Sequence, residues 1–343
     1  MIFVTGGTGL IGSHLLYALS AQGKEVVALK RKNADTAAVK HVFSYYSTQA
    51  EKLFNTITWK EGDICNPVSL AEAMQGATNV YHAAAKVSFN PADKRQMAEI
   101  NIAGTANVVN QCLGQEKARL CYVSSVAALG KPVNGMPVHE DNLWESIAGE
   151  KGYAGTKFLA EMEVWRGFTE GLSGVIVNPS VVLGPGFWQK GSSALFGTIA
   201  RGLKFYTPGI SGYVDVRDVA GMMMNLMESD ISGERFILDA GSMPFRKVAE
   251  RIAEALETTP PAIEATPLMG NMAAGADWLW SKLTGKKRMI TLPLFRAGLN
   301  ENHYANAKVS KQLNRSFIPV EQSIKETAAL YKKDQSFLKE KRD

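Results

Sequence analysis

Short apolar runs alternate with longer amphipathic segments along the chain, most regularly in its first half. The apolar runs predict strands at residues 2–4, 25–29, 56–59, 79–82, 120–124, 174–177 and 235–238. The longer segments predict helices, among them one at about 93–114 and one at about 152–169. Strands that alternate with helices are typical of a parallel sheet with helices on both faces. We therefore predict an α/β fold built on a Rossmann-type, doubly wound parallel sheet.

The pattern loosens beyond residue 178, where pairs of glycine and proline interrupt it repeatedly. We predict a main domain of residues 1–177 and about 212–238, and a smaller, mostly C-terminal α/β lobe of about 178–211 and 239–331. A basic tail follows at 332–343. Residues 33–55 are longer than a minimal connection between two strands, which predicts an extra helical piece there.

The composition of the 343 residues is that of an ordinary globular protein, with 45% hydrophobic and 21% charged residues. The net charge of +5 comes largely from Lys30-Arg31-Lys32, Lys286-Lys287-Arg288 and the tail, and does not by itself indicate nucleic-acid binding. Three irregularly spaced cysteines indicate neither a disulfide framework nor a zinc site. No signal peptide and no apolar run of ~18 residues is found, so we expect a soluble, cytoplasmic protein without a membrane span.

A glycine-rich turn, TGGTGLIG at residues 5–12, joins the first predicted strand to the first helix. In such a turn Gly6 permits the tight bend, Gly9 lets the backbone approach a pyrophosphate, and Gly12 lets the helix pack on the strand. The first N–H groups of the helix, at Leu10 and Ile11, then face the phosphates together with the positive end of the helix dipole. The context predicts a dinucleotide site.

Basic residues follow the second predicted strand, where an acidic residue would hold the ribose hydroxyls of NAD. Lys30 and Arg31 instead suit the 2′-phosphate of NADP, which an arginine can bind through two donors. A solvated basic turn is the alternative interpretation. We predict a preference for NADP(H), with NAD(H) left open.

Tyr153 and Lys157 lie one helical turn apart in the segment YAGTK. A phenol has an unperturbed pKa near ~10, so it needs assistance to exchange a proton at neutral pH. A lysine at i+4 shares its helix face, and a unit charge ~4 Å away favours the phenolate by roughly 4 kcal/mol at an effective dielectric of ~20. The spacing therefore predicts an acid–base tyrosine with a lowered pKa.

Together these features resemble the extended short-chain dehydrogenase/reductase superfamily, also called NAD-dependent epimerase/dehydratase. The resemblance covers residues 2 to about 331 and rests on motifs in the expected order: the glycine turn, Gly62-Asp63-Ile64, His82-Ala83-Ala84-Ala85, Asn101-Ile102-Ala103-Gly104-Thr105, Tyr153 to Lys157, and Gly184-Pro185. It implies that Asp63 contacts adenine and that Asn101 supports the active site. It also implies cofactor contacts from Ile64, Ala83, Ala84, Ala85, Lys157 and Pro179.

The same resemblance makes Ser125 the catalytic serine, with Ser124 as the alternative by one residue. Such a hydroxyl, at the carboxyl end of a strand, would hold the carbonyl or alcohol oxygen of a small-molecule substrate. Tyr153 would pass the proton while hydride moves to or from nicotinamide C4. Lys157 would bind the nicotinamide ribose.

Several residues distinguish the branches of this superfamily. Val126 and Ala127 stand where sugar-nucleotide dehydratases carry an Asp-Glu pair, and Val181 stands where many nucleotide-sugar epimerases carry a diphosphate-binding Asn. The residues after the second strand and the segment at 178–185 look most like the dihydroflavonol-4-reductase-like group. We therefore expect an NADP(H)-dependent reductase or dehydrogenase. The alternatives are an epimerase with retained cofactor and a non-catalytic dinucleotide sensor; a homodimer through the helix of Tyr153 stays open.

Several further residues are predicted to have structural roles. His82 is expected to pack at a strand end, and Asp215 and Asp218 to belong to a structural element. No metal site is predicted. Trp278 and Trp280, with Met269, Met272 and Leu279, form an apolar cluster in the lobe that is expected to pack in a core. A wall or lid of the substrate pocket is the functional alternative.

Overall fold

Seven parallel strands form the central sheet of the computed structural model, which describes residues 1–132, 135–144, 152–284 and 291–340. The strands of this sheet and of two smaller sheets are, in chain order, β1 (Ile2–Thr5), β2 (Val26–Lys30), β3 (Ile57–Glu61), β4 (Asn79–His82), β5 (Arg119–Val123), β6 (Ser173–Pro179), β7 (Val181–Leu183), β8 (Phe205–Tyr206), β9 (Ile210–Asp215), β10 (Glu234–Leu238), β11 (Gly241–Pro244) and β12 (Ile263–Glu264).

The helices surround this sheet or build the rest of the chain. They are α1 (Leu10–Ala21), α2 (Ala37–Ser44), α3 (Ala50–Phe54), α4 (Pro67–Met74), α5 (Lys94–Ala98), α6 (Gly104–Leu113), α7 (Tyr153–Thr169), α8 (Ala194–Ala200), α9 (Val216–Glu228), α10 (Phe245–Leu256), α11 (Pro267–Thr284), α12 (Leu292–Ala297), α13 (Ala307–Leu313) and α14 (Val320–Glu340).

The order of the strands in the large sheet is β10-β6-β5-β4-β1-β2-β3, and every neighbouring pair is parallel. Strand order reverses between β1 and β4, which is the point where doubly wound sheets open a crevice at the carboxyl ends of their strands. The predicted fold class is confirmed. Each predicted strand of this sheet is present, with ends that differ from the prediction by one or two residues.

Alternate residues of each strand face opposite sides of the sheet, and both sides are buried. Val4 belongs to the core under α1 and α9, whereas its neighbour Phe3 belongs to the core under α4, α6 and α7. This explains why the strands read as continuous apolar runs. The two cores hold the carboxyl ends of β1, β4, β5 and β6 in one row.

Two small sheets lie outside the central one. One has the order β11-β9-β7, and the other pairs β8 with β12. A third core, between α8, α10 and α14, covers the small three-stranded sheet and includes Leu183, Phe196, Ile252 and Tyr331. The division of the chain into a main domain and a lobe at the predicted boundaries stays a prediction.

The extra piece predicted at 33–55 consists of α2 and α3. It is joined to the last helix through Asp334, whose carboxylate accepts from His41 Nε2 at 2.9 Å and from the Tyr45 hydroxyl at 2.5 Å. The same carboxylate accepts from Trp188 Nε1 at 2.7 Å. One acidic side chain therefore holds three separate parts of the chain together.

The helix predicted at about 93–114 is interrupted. After α5, residues Glu99–Ala103 form a π-helical turn, and α6 begins only at Gly104. A π-helical turn inserts one residue into a helix, and such turns are frequent at functional sites. The apolar pattern of residues 93–114 gave no sign of this turn, because the residues on either side of it are equally compatible with a helix.

The core packing predicted for the tryptophan cluster is wrong. Trp278 and Trp280 are 47% and 60% exposed, and Met272 is 67% exposed. The inward face of α11 is lined instead by small residues, with Ala274 buried and Gly270 so close to Phe295 that a Cβ would lie 2.4 Å from its ring. The Leu279 side chain and residues 286–288 lie outside the described part of the chain. None of the described helices has the length and apolarity needed to cross a bilayer.

Candidate active site

The glycine turn at residues 5–12 forms a close-packed bend between β1 and α1. Gly6 has φ = 72°, and a Cβ there would lie 2.5 Å from the backbone of Ala83 and Ala84. A Cβ on Gly12 would lie 2.2 Å from the Gly6 carbonyl oxygen. The Gly9 amide donates to that same oxygen at 2.9 Å. Only glycine fits at positions 6 and 12, as the dinucleotide interpretation of this turn requires.

Helix α1 begins at Leu10 with Gly9 at its N-cap and no side chain capping it. The first N–H groups of a helix have no partner within the helix, and they lie at the positive end of its dipole. The amides of Leu10 and Ile11 are therefore available to an anion at the carboxyl edge of the sheet. These features of the chain fit the pyrophosphate of a nicotinamide dinucleotide.

The alanines after β4 close the turn from the other side. Ala83 N donates to the Thr5 carbonyl at 3.2 Å, and Ala84 N donates to Thr5 Oγ1 at 3.3 Å. Ala85 is exposed at the mouth of the crevice. Pro179 is buried at the carboxyl end of β6, on the same edge of the sheet. These four residues therefore line or border the edge at which the resemblance puts the cofactor.

A cavity of about 560 Å³ lies beyond the carboxyl ends of β2 and β3. Arg31, Lys32 and Asp63 line it, together with Glu61, whereas Lys30 does not. Asp63 Oδ1 accepts from the backbone N–H of Cys65 at 2.9 Å, which holds the turn after β3. Arg31 and Lys32 are thus the two cations of this basic run that line the cavity. The cavity can hold the adenosine end of a dinucleotide.

Ile64, the last residue of the predicted adenine motif, is directed into the core. Its side chain is buried against Gly104, where a Cβ would lie 2.6 Å from Ile64 Cδ1. Its carbonyl oxygen accepts from Asn107 Nδ2 at 2.9 Å. The expected cofactor contact of Ile64 is therefore limited to its backbone N–H, because side chain and carbonyl are both engaged elsewhere.

Tyr153 begins α7 and faces the end of β5. Burial raises the pKa of Tyr153 to about 12, and the neighbouring Ser125 side chain offsets part of this rise. The Phe89 ring lies 6.3 Å from the Tyr153 ring, centroid to centroid. The structure therefore brings together a phenol, a serine hydroxyl and an aromatic face at the mouth of the crevice.

Lys157 is buried one turn further along α7. Its ammonium Nζ donates to the Tyr122 hydroxyl at 2.7 Å and to the Val123 carbonyl at 2.8 Å. Burial lowers the pKa of Lys157 to about 7, and the Glu161 carboxylate partly opposes that effect. The lowered pKa predicted for Tyr153 is wrong for this structure, because burial raises it and Lys157 directs its charge at β5 instead.

Asn101 lies in the π-helical turn and is buried. Its Oδ1 accepts from the Lys86 N–H at 2.7 Å, and its Nδ2 donates to the Lys86 carbonyl at 3.0 Å. The same Nδ2 donates to Thr156 Oγ1 at 3.0 Å. Asn101 therefore holds the loop after β4 against α7, which agrees with a supporting role rather than direct contact with a substrate.

The two serines at the end of β5 point to different places. Ser124 is buried, and its hydroxyl donates to Glu161 Oε2 at 2.5 Å. Ser125 instead lies beside Tyr153, whose pKa it lowers, and its hydroxyl accepts from the Ala127 N–H at 3.2 Å. This geometry favours Ser125 over Ser124 as the serine that faces a substrate.

The sequence reasoning missed Glu161, Tyr122 and Thr156. Glu161 is fully buried four residues after Lys157, so Tyr153, Lys157 and Glu161 follow one another on a single helix face. The spacing of four residues could have predicted the place of Glu161. The sequence does not indicate a role for Tyr122 or Thr156, because a tyrosine in a buried strand and a threonine in a helix are common in positions without any function.

Other titratable residues near the sheet form hydrogen bonds within the protein. His82 is buried, with Thr5 Oγ1 2.6 Å from its Nδ1 and Thr105 Oγ1 3.0 Å from its Nε2, and burial lowers its pKa to about 3. Asp215 caps α9, and Asp218 accepts from the Ile318 N–H at 2.7 Å. The structural roles predicted for these residues agree with the contacts. In the described part of the chain, no three His, Cys, Asp or Glu side chains gather into a metal-binding group.

The match to a protein family decides the identity of the fold. The family described as NAD dependent epimerase/dehydratase matches residues 2–238, which include the glycine turn and the Ser125, Tyr153 and Lys157 group. The chain belongs to this family. As an extended short-chain dehydrogenase/reductase it is related both to reductases and to epimerases, and the predicted superfamily is confirmed.

Its curated relatives include reductases. The chain is 28% identical over 281 residues to sterol demethylase protein B of Methylococcus capsulatus, an alignment that spans 80% of each protein. It is 27% identical over 336 residues to a Synechocystis protein likened by name to dihydroflavonol 4-reductase, with 94% of this chain and 92% of that protein covered.

Solved structures of other family members share the fold. The UDP-glucose 4-epimerase of Thermotoga maritima, crystallised with UDP-glucose, superposes with a TM-score of 0.76. The superposition covers 97% of this chain and 99% of the epimerase, at 18% sequence identity. At that identity the similarity extends to the fold and not to the substrate.

Proposed function

We propose that this protein is an NADP(H)-dependent reductase, or alcohol dehydrogenase in reverse, that acts on the carbonyl group of an apolar small molecule. The observation that carries the proposal is the arrangement at the end of β5, where the Ser125 side chain is close enough to Tyr153 to lower its pKa and Lys157 lies one turn along the same helix. A phenol and a serine hydroxyl placed together in this way can both hold one substrate oxygen.

Each residue has a distinct role in this proposal. When bound, the nicotinamide supplies or accepts the hydride at its C4 atom. Ser125 orients the substrate oxygen, and Tyr153 gives its proton to that oxygen in the reductive direction. Lys157 binds the nicotinamide ribose through its ammonium group, whose pKa burial lowers to about 7. Asn101 keeps the loop after β4 in place.

The preference for an apolar substrate rests on the side chains around Tyr153. Phe89 is 37% exposed and Val87 59% exposed, on the loop that Asn101 holds. The cation of that loop, Lys86, is paired with Asp93 at 2.7 Å and is thus engaged. Val126 and Ala127 follow Ser125. Apolar side chains with few polar groups are typical of pockets for uncharged organic ligands.

A diphosphate-bearing substrate has less support. Asn178 stands in the segment that binds a diphosphate in many epimerases, but its Nδ2 donates to Glu161 at 2.8 Å and to the Ser125 carbonyl at 3.1 Å. Its amide hydrogens are therefore used inside the protein. The relatives named as reductases support the same conclusion.

The test is a panel of aldehydes and ketones with NADPH, read as loss of cofactor absorbance. We expect turnover of aromatic or long-chain carbonyls, and a fall of kcat by at least about 100-fold in Tyr153→Phe with unchanged cofactor affinity. Phe89→Ala should raise KM for aromatic substrates without an equal change in kcat, because this ring contributes binding rather than proton transfer.

The other readings of the site give different results in the same experiment. Purified protein that retains its cofactor and interconverts nucleotide sugars without net NADP(H) turnover would establish the epimerase. Cofactor binding with no turnover of either substrate class, unchanged by Tyr153→Phe, would establish a dinucleotide sensor. Absence of any dinucleotide binding would refute all three.

A further inference from the structure

Glu161 is the most completely buried carboxylate near the active site, and the proposed mechanism gives it no role. It lies on α7 four residues beyond Lys157 and eight beyond Tyr153, with no exposed surface. A buried carboxylate is costly unless several donors and a cation compensate its charge. Glu161 must therefore be held by its surroundings, and these identify its role.

Four donors from four elements meet at this carboxylate. The Ser124 hydroxyl at 2.5 Å and Asn178 Nδ2 at 2.8 Å donate to Oε2. Arg235 at 2.8 Å and Trp165 Nε1 at 3.3 Å donate to Oε1. These donors come from the end of β5, from β6, from β10 and from α7 itself. Both oxygens are thus fully used.

This carboxylate reaches Ser125 through two short routes. Ser124, the residue before Ser125, is bonded to Glu161 directly. Asn178 Nδ2 bonds Glu161 and the Ser125 carbonyl oxygen together, at 2.8 Å and 3.1 Å. The backbone on both sides of the Ser125 side chain is therefore tied to one carboxylate, which fixes the direction of the hydroxyl towards Tyr153.

The charge of Glu161 also acts on Lys157. The groups around Lys157 are the Tyr122 hydroxyl and Val123 carbonyl of β5, the neutral His82 of β4, Tyr153, and Glu161 on its own helix. Arg235 is on the far side of Glu161, and its other nitrogens donate to backbone carbonyls of Glu140 and Asn142. Glu161 is the negative charge among these groups, and it favours the charged form of Lys157.

We infer that Glu161 is a positioning residue of the active site: it holds the Ser124–Ser125 strand end and directs its negative charge towards Lys157 on the same helix. This inference rests on the proposed function for its effect on turnover. Its effect on Lys157 is independent of any substrate. If Glu161 serves the fold alone, its charge does not reach Lys157 and its removal leaves the Lys157 titration unchanged, so the titration separates the two roles.

The experiment compares Glu161→Gln with Trp165→Phe. The glutamine keeps the size and the oxygen acceptor but removes the charge, whereas the phenylalanine removes one neutral donor and leaves the carboxylate charged. Lys157 is titrated by NMR of carbon-labelled lysine, with its signal assigned by its loss in Lys157→Met. We expect the pKa of Lys157 to fall by about 1 in Glu161→Gln. It should stay at about 7, the wild-type value, in Trp165→Phe.

Turnover provides the second readout. In the reductive direction the alkaline limb of the pH–rate profile should move to lower pH in Glu161→Gln by the same amount as the Lys157 titration. Because Glu161→Gln leaves Arg235 unpaired and could fail to fold, the double variant Glu161→Gln/Arg235→Met removes both charges. It should show the same direction of change.

The outcomes are separable. An unchanged Lys157 titration in both glutamine variants, with lower kcat at every pH, would overturn the inference and leave Glu161 a structural residue. A shifted titration in a protein that reduces no carbonyl on the panel would support the inference while the proposed function fails.

Discussion

The side-chain amide of Asn101 donates to Thr156 Oγ1 at 3.0 Å, and Thr156 Oγ1 in turn donates to the Tyr153 carbonyl at 2.8 Å. These two hydrogen bonds join the π-helical turn at Glu99–Ala103 to the first turn of α7. The Asn101 amide also accepts from the Lys86 N–H and donates to the Lys86 carbonyl, so it connects the loop after β4 to the start of α7. The position of Tyr153 thus depends on an amide with no role in the chemistry.

Replacement of that amide tests the dependence. In Asn101→Asp the side chain keeps its shape but loses both donors, and its carboxylate faces the Lys86 carbonyl and a Thr156 oxygen whose hydrogen is already used. We expect a loss of about 1–3 kcal/mol in the free energy of unfolding and a kcat at least about tenfold lower. Chemical denaturation and steady-state kinetics measure the two effects. Wild-type kcat in a stable Asn101→Asp protein would contradict the supporting role.

The cations of the 560 Å³ cavity are expected to select NADP(H). Arg31→Ala and Lys32→Ala should each weaken NADP(H) binding by about tenfold, because a charged partner of the 2′-phosphate is lost, and should leave NAD(H) binding unchanged. Lys30→Ala should have a smaller effect, since Lys30 does not line the cavity. Titration of cofactor fluorescence gives the affinities. Lys24→Ala, which removes a distant cation bonded to Glu228, is the control.

Two glycines should respond oppositely to alanine. In Gly12→Ala the new Cβ would lie 2.2 Å from the Gly6 carbonyl oxygen, so the turn must distort and dinucleotide binding should be lost. Gly275 lies within α11 with open space at its Cβ, and alanine there should stabilise the protein by up to about 1 kcal/mol. Thermal unfolding and cofactor binding distinguish the two variants. Cofactor binding that survives in Gly12→Ala would contradict the proposed binding of the pyrophosphate by the glycine turn.

Two buried histidines should make the fold sensitive to acid. Burial lowers the pKa of His82 to about 3 and that of His14 to about 4, from 6.5. Each of these histidines therefore binds a proton below about pH 6.5 in the unfolded chain, but only at a lower pH in the folded protein. The stability they contribute is complete above pH 6.5 and is lost as pH falls towards 4, by about 1.4 kcal/mol per pH unit for each histidine.

Denaturation at pH 5 and pH 7 measures this slope. Replacing His14 or His82 by glutamine should lower this slope by one histidine's share. A slope equal to that of the wild type in both variants would show that carboxylates, not these histidines, dominate the acid sensitivity.

The exposed tryptophans of α11 should be dispensable for stability. Trp280→Ser removes a side chain that is 60% exposed, so the free energy of unfolding should change by less than about 0.5 kcal/mol. Trp188 packs against Phe196 and Tyr331 and donates to Asp334, and Trp188→Ser should cost about 3 kcal/mol or more. A loss in Trp280→Ser as large as that in Trp188→Ser would show that α11 packs against a partner.

The sequence predicts the parts of this protein that repeat a simple period. Apolar runs such as 79–82 and 174–177 fit strands of a sheet buried on both faces, and the glycines at 6 and 12 follow from steric exclusion. Tyr153 and Lys157 were predictable because i+4 spacing puts them on one face. In these cases local geometry determines the outcome.

Contacts between distant segments were not predictable in this way. The direction of the Lys157 ammonium depends on Tyr122, a residue on a strand that the apolar pattern describes equally well with phenylalanine. The exposure of Trp278 and Trp280 depends on which face of α11 meets its neighbours, and small residues took that face. Side-chain hydropathy alone cannot decide such a choice.

The π-helical turn at Glu99–Ala103 has a consequence for how this protein can vary over generations. Each residue in a helix turns the chain by about 100°, so removal of one residue from the turn would restore a regular helix and rotate Asn101 away from Lys86 and Thr156. Substitutions beside Asn101 would keep the number of residues in the turn and so leave Asn101 directed towards Lys86 and Thr156. In the gene, loss of one codon here should therefore be tolerated less well than most missense changes, because the turn depends on residue number more than on residue type.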